Sequence, residues 1–155
     1  MDIDNLVTQD LANEGVWTPV ILYGKPADFD LLILGDDSDA VQQYGRKASK
    51  KLKSVMAKAY KSSESEFDDE TVDELADSSD EAVLVRIAGI RGWKVERKGS
   101  KVIDKQPEPV RYNGVEINND EKSYKLLISK IPAIKEFVLK VAKDRTHFLS
   151  EKSGN

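Results

Sequence analysis

The sequence has no cysteine, a single histidine and no long apolar run. Without cysteine the chain has no disulfide framework, no thiolate nucleophile and no cysteine-ligated zinc or iron–sulfur site. Its first residues are acidic rather than basic, and no apolar run approaches the ~18 residues needed to span a bilayer. These absences predict a soluble protein without a secretory signal and without a membrane partner.

Motifs of common catalytic and binding sites are also missing. The sequence contains no G-x-x-x-x-G-K-[ST], no G-x-G-x-x-G and no G-x-S-x-G. His147 is of the type that exchanges protons near neutrality, and Asp144 one turn earlier could orient it, but a surface histidine beside an acidic neighbour is the favoured interpretation. No stretch has the Gly-centred spacing of an EF-hand loop. We therefore predict no enzyme, no catalytic residue, no cofactor and no metal site.

What the sequence does have is charge, in separate blocks. Lys and Arg number 24 against 28 Asp and Glu, for a formal net charge of −4. Every formal charge within 41–61 is positive, and every one within 64–81 is negative. The basic block could contact phosphates, because Lys and Arg supply most sequence-independent affinity for DNA. Pairing between the two blocks, as two antiparallel helices, is favoured over binding of nucleic acid.

Turn residues between apolar runs predict three β-hairpins. The runs 16–23 and 29–34 flank a Gly/Pro loop, and Pro19 cannot donate a ladder hydrogen bond, so the first strand should be an edge strand or be bulged there. Segments around Arg97–Ser100 predict a second hairpin. Asn113-Gly114 predicts a third, because both residues tolerate positive φ.

Apolar residues at steps of three and four predict the helices. The first carries the basic block. The second runs from Val72 to Ile90 and ends near 89–92. A third begins at 118–121, and Pro132 opens the last, whose apolar stripe continues to Leu149.

Together these patterns predict an α+β fold, in which three or four helices, the last of them a C-terminal amphipathic helix, pack on a small sheet that contains a β-hairpin. Residues 12–149 should form one domain, with an N-terminal tail (1–11), an acidic linker (62–70) and a frayed C-terminus (150–155). Trp17 and Trp93 are expected in the core, with a partner surface as the alternative.

Several short segments, taken in order, carry a family resemblance. They are Gly15-Val16-Trp17, Leu34-Gly35-Asp36-Asp37-Ser38-Asp39-Ala40 before a helix with Arg46-Lys47, Ile90-Arg91-Gly92-Trp93, Asn119 with Leu126-Leu127, Ile131-Pro132-Ala133-Ile134, Asp144-Arg145 and Phe148-Leu149. This set resembles the tail assembly chaperones of long-tailed, siphovirus-like bacteriophages. The resemblance covers most of residues 12–149.

The resemblance implies a non-enzymatic chaperone in the cytoplasm of the bacterial host. It would bind the phage tape-measure protein, help recruit tail-tube subunits and be absent from the mature virion; a homo-oligomer is compatible with this function. An amphipathic helix can cover apolar helix faces that would otherwise aggregate. The candidate partner-binding residues form the C-terminal stripe, which is also what a core would need: Ile131, Ile134, Phe137, Val138, Val141 and Phe148.

Two other functions stay open at this point. The protein could be a structural virion component of the tail or of the head–tail junction. It could also be a small DNA-associated protein that uses the basic helix 41–61, for which binding to duplex DNA should depend steeply on salt.

Overall fold

The computed structural model describes residues 3–61 and 79–149 and has the predicted α+β class. The strands form a four-stranded sheet and a separate two-stranded ribbon. In chain order the elements are a 3-10 helix (Asp4–Leu6), α1 (Gln9–Glu14), β1 (Val16–Leu22), β2 (Lys25–Ile33), α2 (Asp39–Lys61), α3 (79–84), β3 (Ile87–Lys98), β4 (Lys101–Pro107), β5 (Arg111–Tyr112), β6 (Val115–Glu116), α4 (Glu121–Lys130), α5 (Ala133–Lys143) and a second 3-10 helix (Arg145–Phe148).

The four-stranded sheet is antiparallel in the order β1-β2-β3-β4. The β1–β2 hairpin is confirmed. Its turn is shorter than the Gly/Pro loop that the sequence suggests, since Leu22 already pairs with Lys25. The two turn residues, Tyr23 and Gly24, have positive φ angles of 55° and 75°. Such a two-residue turn matches the twist of the flanking strands. β1 is the edge strand and its register shifts between Pro19 and Ile21, so both options predicted for Pro19 are confirmed.

The other two hairpins are confirmed as well. β3 pairs with β4 across Gly99, and β5 pairs with β6 across Asn113-Gly114, where φ is 50° and 79°. β5 and β6 have two residues each.

The predicted end of the second helix is wrong. Residues 87–90 begin β3, where Ile87 pairs with Ile33 and Ile90 pairs with Leu31 of β2. Central strands are apolar on consecutive residues, so a buried strand and a buried helix look alike in sequence. The part of this prediction that covers 72–78 lies outside the described residues, as does the predicted acidic linker 62–70.

α4 and α5 pack on one face of the sheet together with α1 and the second 3-10 helix. Asp120 begins α4 by accepting the Ser123 N–H at 2.7 Å, and Pro132 immediately precedes α5, as predicted. The most deeply buried side chains of this core are Val20, Leu31, Ile33, Val83, Ile128, Ile134, Val138 and Phe148.

Both ends of the domain differ from prediction. The last helix does not continue to Leu149, because Asp144 interrupts it: its carboxylate accepts the Thr146 hydroxyl at 2.6 Å and starts a 3-10 helix. The expected N-terminal tail (1–11) is structured from Ile3 onward, since the Thr8 hydroxyl donates to Asp37 at 2.6 Å and α1 buries Ala12 completely. The predicted fraying of 150–155 lies outside the described residues.

The β2–α2 loop (residues 34–38) joins these ends to the core. The Gly35 N–H donates to the Ala12 carbonyl and the Asp36 N–H to the Ala142 carbonyl, at 3.1 and 2.9 Å. A Cβ on Gly35 would lie 2.8 Å from that of Ala12, so glycine is required by close packing. Ser38 caps α2 by accepting the Val41 N–H at 3.2 Å.

Asp37 makes the stability of the folded protein depend on pH. Hydrogen bonds from Arg145, and secondly from Thr8, lower the pKa of Asp37 in the folded state. A lowered folded pKa stabilises the protein above the unfolded value of about 3.9, and this contribution is lost as the pH falls through the folded pKa. We expect Asp37→Asn to be less stable than wild type above about pH 5 and the difference to shrink below about pH 4.

Urea midpoints measured from pH 3 to pH 7 check this expectation. Arg145→Gln removes the same leading hydrogen bond and should give a similar pH profile. A stability difference that stays constant across this pH range would contradict the role assigned to Asp37.

Candidate partner-binding groove

α5 presents two adjacent apolar faces. Ile134, Val138 and Ala142, at steps of four, are fully or almost fully buried against the sheet. Phe137 and Val141, also four apart, are only half-buried and lie at the edge of the core. One face therefore packs in the core of the domain, and the other is only partly covered by the described residues.

The second face lines an open groove of about 580 Å³. Its opposite wall is Ile21 of β1, whose side chain is 54% exposed although the preceding Val20 is buried. The bulge after Pro19 places Ile21 there. The groove has the volume of typical ligand sites, and its walls are mainly apolar.

Charged side chains of α5 form the rim of this groove. Lys140 and Lys143 lie beside Phe137 and Val141. Within residues 3–61 and 79–149, neither ammonium group is within 4 Å of a carboxylate. The groove thus combines an apolar floor with two cations that have no anionic partner in the described part of the chain.

Asp144 and His147 also line the groove, and both make contacts within the fold. The Thr146 hydroxyl donates to Asp144 and lowers the pKa of its carboxyl group. His147 Nε2 lies 2.8 Å from the Thr18 hydroxyl oxygen, and its ring meets Phe148 edge-on at 5.3 Å between centroids. Each side chain therefore has a structural partner, and the predicted surface histidine is half-buried.

The structure separates the six candidate residues of the C-terminal stripe into three groups. Ile134, Val138 and Phe148 are core residues, with exposures of 0%, 0% and 2%. Ile131 is half-buried at the end of α4 and packs against the core. Only the two half-buried residues of α5, Phe137 and Val141, line the groove.

Sequence reasoning singled out Asp144 and His147 for other reasons and missed three further groove residues, Ile21, Lys140 and Lys143. Ile21 occupies an exposed position in an edge strand, and the proline two residues before it was the available signal for a bulge. Lys140 and Lys143 are ordinary surface lysines in sequence. Only the position of β1 against α5 shows that they flank an apolar site.

A second polar cluster lies on the other face of the sheet. Asp30, which is 3% exposed, accepts hydrogen bonds from Arg91 Nε at 2.8 Å and from Trp93 Nε1 at 2.9 Å. The Arg91 guanidinium lies over the Trp17 ring, 4.3 Å from its centroid. The buried carboxylate thus fixes a guanidinium and an indole side by side, which is a stabilising arrangement.

The two tryptophans were expected in the core, but neither of them is a core residue. Trp17 is 36% exposed and Trp93 is half-buried. The Trp17 ring lies over Gly89, where a Cβ would come within 2.9 Å of it, and Lys105 Nζ lies 4.2 Å from the Trp93 centroid. Because successive side chains of a strand point to opposite faces of the sheet, the rings on β1 and β3 lie on the face opposite α5.

The basic helix forms a further exposed surface. α2 follows the predicted boundaries closely, yet beyond Ala48 its described side chains are largely exposed, including Leu52 (48%) and Met56 (52%). A cleft of about 620 Å³ between α2 and 82–86 includes Arg46, Lys50 and Lys53. The acidic segment predicted to pair with α2 lies mostly outside the described residues.

The comparison with known proteins gives no match from which a function can be inferred. No protein-family model, curated protein or solved structure matches this chain. Within 3–61 and 79–149, no group of three or more His, Asp or Glu side chains is placed to hold a metal ion. None of the helices in that part of the chain is both long and apolar enough to cross a membrane.

Proposed function

We propose that this protein is a non-enzymatic tail assembly chaperone of a long-tailed phage, acting in the host cytoplasm. It binds the tape-measure protein in the groove between β1 and α5 and helps to recruit tail-tube subunits. The observation that carries the proposal is that Phe137 and Val141, two of the candidate residues of the C-terminal stripe, line an open apolar groove.

The apolar lining of the groove is of the kind that an amphipathic helix can contact. Such a helix presents apolar side chains at i, i+3/i+4 and i+7, and a groove that covers them removes apolar surface from water on both partners. Ile21, Phe137 and Val141 supply a floor of comparable character. The resemblance implies that the tape-measure protein is long and helical, and its apolar helix faces would aggregate before assembly if nothing covered them.

A second candidate function rests on α2. Arg46, Lys50 and Lys53 lie at spacings of four and three on one side of the helix, and within the described residues none of them forms an ion pair. Such a stripe can contact phosphates. This function predicts duplex binding whose affinity falls steeply with salt.

Co-purification tests the proposed function. The tagged full-length chain is expressed with the neighbouring structural genes, and captured proteins are identified by mass spectrometry at 50 and 300 mM salt. We expect the tape-measure protein at both salt concentrations, because apolar contact is not screened. Recovery of nucleic acid alone, lost at the higher salt, would favour the second candidate. Detection of this protein in purified virions would instead favour a structural component of the tail or of the head–tail junction.

A further inference from the structure

We propose that the groove selects helices that carry carboxylates beside their apolar ridge. This inference rests on the proposed function, since it assumes that the groove receives a helix. It goes beyond that function because it names the charge pattern of the partner segment and the two residues that recognise it, Lys140 and Lys143.

The placement of the two lysines carries the inference. They are three residues apart on α5 and therefore neighbours on its surface, and both are exposed at the rim beside Phe137 and Val141. The other lysine of α5, Lys135, is engaged differently, because its Nζ lies 2.6 Å from the Asp80 carboxylate. The lysines of α5 that have no carboxylate within 4 Å in the described part of the chain thus both lie at the groove.

The remaining charged group at the groove offsets only part of this rim charge. Asp144 lies one turn after Lys140 and stays ionised while it accepts the hydroxyl and the N–H of Thr146, so two ammonium groups and one carboxylate leave a net positive charge at the groove. His147 has its Nε2 against the Thr18 hydroxyl. A docking helix therefore meets two ammonium groups that are unpaired within the described residues.

The charge on the partner decides what docking does to these ammonium groups. A neutral helix would partly remove them from water without compensation, whereas a basic helix would be repelled. A helix with glutamates flanking its apolar ridge would supply hydrogen-bonded counter-charges. For two rim pairs of this kind we expect a preference of about tenfold at low salt.

Three synthetic helical peptides test the inference. They share one apolar ridge and differ only in having Glu, Gln or Lys at the flanking positions. Their affinities for the full-length chain are measured by fluorescence anisotropy at 50 mM salt. We expect the Glu peptide to bind about tenfold more tightly than the Gln peptide and the Lys peptide to bind most weakly.

Charge reversal provides the matched comparison. The double variant Lys140→Glu and Lys143→Glu should reverse the order, so that the Lys peptide binds best. The double variant Lys47→Glu and Lys51→Glu makes the same change of charge one turn apart on exposed α2, outside both the groove and the α2 cleft, and should keep the wild-type order.

The outcomes separate the two proposals. Equal binding of all three peptides would overturn charge selection and leave groove binding intact. A preference that disappears in the α2 variant but survives in the α5 variant would also overturn it, because recognition would then belong to α2. Failure of every peptide to bind would count against the proposed function itself.

Discussion

Phe137→Asp is expected to abolish solubilisation of the tape-measure protein in co-expression and to weaken binding of the apolar-ridge peptides by about ten- to hundredfold. Phe137 is half-buried at the groove, so a docked helix would complete its burial. Full burial of an aromatic side chain contributes about 1.5–3 kcal/mol, of which docking supplies the part that is still exposed, and a carboxylate at this position would in addition lose hydration on docking. Anisotropy with the three peptides measures the change.

Leu139→Asp is the matched control. Leu139 belongs to the same helix and is 39% exposed, but it is not among the residues that line the groove. The variant introduces the same charge and should bind like wild type. Circular dichroism and thermal melting establish that both variants are folded. If folded Phe137→Asp still solubilises its partner, or if Leu139→Asp loses binding equally, the groove is not the site.

Phe148→Ala is expected to have the largest effect on stability, about 3–5 kcal/mol, with a melting temperature lower by about 6–20 °C. Phe148 is 2% exposed and belongs to the main core cluster. Its ring also lies against Gly35, where an added Cβ would come within 3.0 Å of it. Truncation would leave a cavity at the contact between the C-terminal segment and the β2–α2 loop.

This variant separates the core role of Phe148 from the partner role that the C-terminal stripe suggests. At temperatures where Phe148→Ala is folded, its peptide affinity should match that of wild type, because the ring does not line the groove. Equilibrium urea unfolding gives the stability change, and anisotropy at a low temperature gives the affinity. A stability loss below about 1 kcal/mol together with lost binding would place Phe148 in the interface instead.

Local signals in the sequence predict most elements of this fold. Turn residues with positive φ mark the β1–β2 and β5–β6 hairpins, and a capping serine marks the start of α2. These features depend on neighbours within a few residues, so they can be recognised in the sequence without knowledge of the tertiary structure. Ile87 and Ile90 are different, because only their pairing with β2 decides between strand and helix.

The site was predicted less well than the fold. Helical periodicity identifies one apolar stripe on the C-terminal segment, but it does not distinguish the buried Ile134 and Val138 from the half-buried Phe137 and Val141. That distinction depends on where β1 ends against α5. Ile21 reaches the groove only through a bulge in the edge strand, which is a property of the sheet and not of its own neighbours in sequence.

Many residues that carry the family resemblance have a structural role in this chain. Asn119 accepts the Ile90 N–H at 2.6 Å, and Arg145 pairs with Asp37 at 3.0 Å. A Cβ on Gly92 would overlap the Glu108 carbonyl oxygen. These positions are required by close packing and hydrogen bonding within the domain.

The absence of cysteine allows a direct test of the central claim, that the groove receives a helix of the tape-measure protein. Val141→Cys and Leu139→Cys each provide a single thiol on α5, one at the groove and one away from it. Each is loaded with a photo-crosslinker in the presence of the co-expressed tape-measure protein, and cross-linked peptides are identified by mass spectrometry. We predict cross-links from position 141 to an amphipathic segment of the tape-measure protein and few from position 139. Equal labelling from both positions, or none from position 141, would contradict the account.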